Sequence, residues 1–124
     1  MKTLLTISTL VFTVMFSSTS FGGWTKVGTD GGDTFYVDFE TIKKHDGYVY
    51  WWEVLDFKNP NGILSVKVYN QGDCKLFRSK VLSFSSHKEP MGGGTGNPHT
   101  PPDKWEYPPP NSPTETILKS VCSR

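Results

Sequence analysis

Two cysteines, Cys74 and Cys122, constrain this chain more than any other feature, because the segment ahead of them reads as an export signal. Lys2 supplies its positive start, Leu4 to Phe16 its apolar stretch, and Ser17 to Gly22 a run of small residues broken only by Phe21. Residues 1–22 are therefore expected to be a signal peptide, cleaved after Gly22 or, as a second choice, after Ser20. Oxidising compartments preserve disulfides, and two cysteines allow one intramolecular pairing, Cys74 to Cys122. Such a bond closes most of the C-terminal half into one loop, an effect of about 4 kcal/mol in the chain-entropy model. The alternative is a pair of free or metal-binding thiolates, but metal sites usually show closely spaced Cys or His pairs.

About 100 residues follow the signal, enough for one domain with a modest core. The apolar stretch of the signal is shorter than the roughly 20 residues a transmembrane helix needs, and no second one follows, so no membrane span is expected. Of 13 Lys and Arg residues, Lys2 lies in the signal, and the remainder balance the 12 Asp and Glu residues. That neutrality argues against bulk electrostatic capture of nucleic acid. No cysteine follows the signal directly, so no N-terminal lipid anchor is expected either.

Residues 23–124 read as an antiparallel meander ending in a helix. Trp24 to Gly28 and Thr34 to Val37 are expected strands, joined by the Gly/Asp turn Thr29 to Asp33. Asp38 can cap a short helix running through Lys44. The run Gly47 to Phe57, GYVYWWEVLDF, is the strongest strand, with Tyr48, Tyr50, Trp52 and Val54 on one face and Val49, Trp51, Leu55 and Phe57 on the other. Large apolar groups on both faces place it centrally. Lys58 to Gly62 reads as a hairpin loop, Ile63 to Tyr69 as its partner strand, Asn70 to Asp73 as a turn, and Cys74 to Ser86 as the next strand.

Beyond His87 the composition shifts. Residues 88–112 form a Pro/Gly-rich excursion, expected to be loop with at most a short strand at Lys104 to Tyr107. The helix after it is signalled by Ser112 as N-cap, Pro113 at the first helical position and Glu115 completing a capping box. Ile117, Leu118, Val121 and Cys122 share one face of that helix, so its apolar stripe and its cysteine point the same way.

No catalytic constellation accompanies this scaffold. A nucleophile elbow is absent, and Gly92 to Gly96 lacks the Lys-Ser/Thr of a phosphate loop. His45, His87 and His99 are single and widely spaced, as surface histidines are, and Asp30 to Asp33 lacks the further oxygen ligands of a calcium loop. Neither metal nor cofactor is expected. Glu53, the one acid in the apolar strand, is the best candidate for a shifted carboxyl and is expected to pair with Lys67 on the neighbouring strand. An enzymatic role needs a cleft that brings Glu53 to a histidine. Lys75, Arg78, Lys80 and Lys88, with no acid among them, are the candidate ligand-binding residues, suited to acidic protein or anionic polysaccharide. An edge strand that carries cations to prevent sheet-to-sheet pairing accounts for the same run.

Taken together, several motifs resemble the surface-adhesin E domain family of bacterial exported proteins. They are Trp24 with Lys26 and Val27, the strand Phe35 to Asp38, Gly72-Asp73-Cys74 followed by Arg78-Ser79-Lys80, Met91 to Gly94, and Trp105, Tyr107, Pro108, Pro110 and Ser112 ahead of a helix ending in Val121-Cys122. The resemblance implies an α+β fold: an antiparallel β-sheet meander with a short C-terminal helix linked to the sheet by one disulfide. It implies a non-enzymatic binding module that engages host extracellular-matrix or serum glycoproteins such as vitronectin and laminin. The alternative is a structural or stress-related envelope protein with no host ligand. The expected location is the periplasm, the cell surface or the medium.

Overall fold

The computed structural model describes residues 23–58 and 61–124; the expected signal peptide and its cleavage site lie outside them. Thr25–Asp30 (β1) and Asp33–Val37 (β2) form a hairpin through Gly31 and Gly32, whose φ values of 63° and 93° suit glycine at both turn positions. The Asp38 carboxylate caps the next segment by accepting the Glu40 N–H at 3.1 Å. The helix expected through Lys44 nevertheless stops after one 3-10 turn, Phe39–Thr41, because Ile42 is extended and Lys43–His45 (β3) joins the sheet.

Tyr48–Asp56 (β4) is the central strand, paired with β2 and β3 along one edge and with Ser65–Asp73 (β5) along the other. Arg78–His87 (β6) and Asn97–His99 (β7) complete an antiparallel sheet in the order β1-β2-β4-β5-β6-β7. Pro113–Cys122 (α1) crosses one face, here the inner face. There Ile117, Leu118 and Val121 bury themselves against Val37, Val49 and Trp51. The register puts Glu53, Val66, Val68, Asn70 and Val81 on the same inner side. Tyr48, Tyr50, Trp52, Lys67, Tyr69 and Lys80 therefore belong to the outer face.

Strand β5 runs on to Asp73, through the turn expected at Asn70 to Asp73. Gly72 explains the difference: a Cβ there would lie 2.8 Å from the Trp51 ring, 2.9 Å from Val49 and 3.0 Å from Leu118, so this glycine admits the helix to the sheet. The turn falls instead at residues 74–77, where the Asp73 Oδ1 accepts the N–H groups of Lys75 and Leu76 at 3.2 and 3.1 Å. Cys74 thus stands in the turn rather than in the strand. It bonds to Cys122, with Cα atoms 5.7 Å apart, and closes a loop of 48 residues.

The helix starts as expected, with Ser112 Oγ accepting the Glu115 N–H at 3.2 Å. The Glu115 carboxylate reaches back to the Asn111 N–H rather than to Ser112, whose own N–H donates to the Pro109 carbonyl. The excursion is more ordered than its composition implies. It contributes β7, where Pro98 is tolerated because the strand lies at the sheet edge. The strand expected at Lys104 to Tyr107 reduces to one bridge, Glu106 with Ser79, hydrogen-bonded both ways at 2.8 and 2.9 Å. β7 covers the outer edge of β6 at Phe84 to Ser86 and Glu106 covers it at Ser79, while Lys80 to Ser83 have no ladder partner on that side among the described residues.

Candidate functional site

The outer face begins from the alternation of β4, which sends Tyr48, Tyr50 and Trp52 away from the helix. Cross-strand register adds Tyr69, whose ring lies 4.6 Å from Trp52 and 6.3 Å from Tyr50, centroid to centroid. Lys67 Nζ stands 4.8 Å over the Trp52 ring. The Glu106 bridge brings in Trp105, stacked at 5.7 Å on Tyr48. Against Trp105 sit the Arg78 guanidinium at 4.4 Å and Lys80 Nζ at 4.8 Å. Two groups of rings, Tyr50, Trp52 and Tyr69 in one and Tyr48 with Trp105 in the other, thus lie on this face with cations from β5 and β6 laid on them.

Of the four cations expected to form a site, Arg78 and Lys80 are brought together. Lys75 is exposed in the turn next to Arg78. Lys88 is not part of the group: it follows the far end of β6, about 30 Å along a strand of this length. Arg78 and Lys80 are also less free than the sequence implies. Arg78 Nε contacts Asp73 at 3.1 Å, and Lys80 Nζ contacts Asp103 at 2.8 Å. The backbone N–H of Leu76, together with Arg78, holds the Asp73 carboxyl below its usual range, and Lys80 does the same for Asp103. Lys75 and Lys88 have no ion-pair partner among the described residues.

Sequence reasoning missed Trp105 as a site residue, since nothing local says that a Pro-rich segment delivers an indole to a strand. Tyr48, Tyr50 and Trp52 were already assigned to one face. Aromatic faces present π-density to the C–H groups of sugars and to planar groups, while the adjacent cations meet carboxylates or sulfates. The histidines do something else. His87, expected at the surface, is buried, with Nδ1 2.9 Å from the Gly93 carbonyl and Nε2 2.7 Å from Ser85 Oγ. His99 stacks on Phe84 at 4.9 Å. Among the described residues no cluster of His, Cys, Asp or Glu is arranged to hold a metal ion, and no helix is long and apolar enough to cross a membrane.

Glu53 is not paired with Lys67, because the two lie on opposite faces of the sheet; its register partner is Val68. Its Oε1 accepts Trp51 Nε1–H at 3.1 Å and Asn70 Nδ2–H at 2.6 Å. Burial pushes its carboxyl up to about 7 despite those two hydrogen bonds, which lower it. No histidine lines the cavity it faces.

Among the described residues, a seven-stranded antiparallel sheet, a disulfide-tethered C-terminal helix and an aromatic and basic face define a small α+β module. The family model for surface-adhesin protein E matches residues 24–123, and the chain belongs to that family. Solved structures of Haemophilus influenzae protein E share the fold. Crystal form II aligns at 16% identity with a TM-score of 0.63, over 84% of this chain and 90% of that one. A second structure of the same protein aligns at 16% identity and 0.63 over 84% and 86%, and its selenomethionine form at 16% and 0.64 over 84% and 88%. No curated protein matches the chain in sequence.

Proposed function

We propose that this protein is an exported, non-enzymatic adhesin-like module whose outer face binds extracellular-matrix or serum glycoproteins. The observation that carries the reading is the Trp105 cluster, in which an indole from the Pro-rich segment is held among Tyr48, Arg78 and Lys80 on the outer sheet face. Lys75 extends the positive surface at the turn that the disulfide braces. Membership of an adhesin family supports the same reading. Solid-phase binding of residues 23–124 to immobilised laminin and vitronectin tests it. Trp105→Ala, which removes the centre of the cluster without touching the core, is expected to weaken binding at least tenfold. Unchanged binding by a folded Trp105→Ala protein overturns the assignment.

The Asp73–Arg78 and Asp103–Lys80 ion pairs favour a second reading, an envelope protein with no host ligand, since they satisfy both cations internally. On intact cells, protease added outside cleaves a surface adhesin and spares a periplasmic protein.

A further inference from the structure

The inner face holds a concavity that the proposed adhesive surface does not use. A half-open cavity of about 390 Å³ separates strands β4 to β6 from the segment around Pro101 and from the start of α1. That volume lies in the range of about 300–1,000 Å³ typical of small-molecule sites. Its walls are mostly apolar: Val66, Val68, Val81 and Phe84 from the sheet, Ile117 from the helix, and Pro101 opposite. Glu53, Asn70, Ser79 and Thr114 are the polar residues among them, with the charged Lys104 and Glu106 at the rim.

A carboxyl in such a place is costly to bury, and an aliphatic side chain would fill the position at no electrostatic cost. The surroundings are built to hold this one. Trp51 and Asn70, 2% and 5% exposed, both direct their side-chain N–H groups at the same oxygen, Oε1. Oε2 receives no hydrogen bond from any described residue. No buried side-chain polar atom among those residues is left without a partner, so Oε2 is reached from the cavity rather than sealed in protein. No Lys or Arg forms an ion pair with Glu53; the charged groups at the rim, Lys104 and Glu106, are exposed. The site therefore offers one free carboxylate oxygen in a largely apolar chamber.

We propose that this cavity binds a small molecule with an aromatic or aliphatic body and a single protonated amine. The amine pairs with Glu53 Oε2, and the body lies against Val68, Val81 and Phe84. A cation is favoured over a neutral donor because it supplies the counter-charge that the fold withholds from Glu53, and anions are repelled by the same group.

2-Phenylethylamine, 2-phenylethanol and 3-phenylpropionate serve as probes of matched shape, with binding followed by titration calorimetry and by the shift of the Trp51 indole N–H resonance. Saturable binding of the amine, at least tenfold tighter than the alcohol, and none of the acid are expected. Glu53→Gln keeps an acceptor for Trp51 and Asn70 and is expected to erase the preference of amine over alcohol. Thr114→Trp, at an exposed rim position that leaves the core intact, is expected to block the mouth and abolish amine binding. The proposal is overturned by no saturable amine binding at millimolar concentration, by equal binding of amine and alcohol, or by unchanged amine binding in either variant.

Discussion

Replacing Glu53 by Gln changes the pH dependence of stability in a direction and over a window that the structure specifies. In the unfolded chain this carboxyl titrates near 4.5; in the fold, burial raises it to about 7. Between those values the folded state keeps a proton that the unfolded state has lost. Unfolding free energy must therefore fall as pH rises from about 4.5 and level off above about 7. A shift of roughly 2.5 units corresponds to a ceiling of about 3 kcal/mol. Water reaching Oε2 through the half-open cavity screens part of it, which leaves about 1–2 kcal/mol. The amide in Glu53→Gln retains the oxygen that accepts from Trp51 and Asn70 but carries no proton to lose. Urea unfolding of both proteins, followed by tryptophan fluorescence from pH 4 to 8, supplies the comparison. Titrations common to both cancel in the difference. The variant should gain about 1–2 kcal/mol on the wild type between pH 5 and 7, with flat difference curves outside that window. Parallel stability curves across the range would refute the burial argument.

Gly72→Ala forces a Cβ to within 2.8 Å of the Trp51 ring and is expected to cost about 1–3 kcal/mol in denaturant unfolding, with the helix displaced. A Cys74→Ser, Cys122→Ser double variant should lose about 4 kcal/mol of stability, the closure entropy of its 48-residue loop, seen as a lower urea midpoint. Ser112→Ala removes the oxygen that accepts the Glu115 N–H and should cost about 1 kcal/mol by the same measurement.

What the sequence made legible follows from how local each signal is. The helix start needs only Ser112, Pro113 and Glu115, and the central strand only the ring-rich alternation of Tyr48 to Phe57. The cysteine pairing follows from there being two. Misreadings arose where a local preference serves a distant contact. Gly72 resembles a turn glycine, yet it is small because Trp51, Val49 and Leu118 crowd it. Asn70 resembles a turn residue, yet its amide is spent on Glu53 across the sheet. Asp38 does cap, but Lys43–His45 finds a ladder on β4 that outweighs one more helical turn. The candidate site divides the same way. Arg78 and Lys80 fall on one face by strand period, whereas their counter-ion Asp103 and their platform Trp105 come from a Pro-rich segment whose path no periodicity describes.

The central claim, binding through the outer face around Trp105, is tested most directly by comparing two charge reversals within one strand region. Arg78→Glu with Lys80→Glu changes the cluster itself, while Lys88→Glu changes a cation beyond the far end of β6. Solid-phase binding to laminin and vitronectin should fall at least tenfold for the first protein and stay at the wild-type level for the second. A loss in both that scales with two reversed charges against one would show that binding follows net charge, and full retention in both would show that the outer face takes no part.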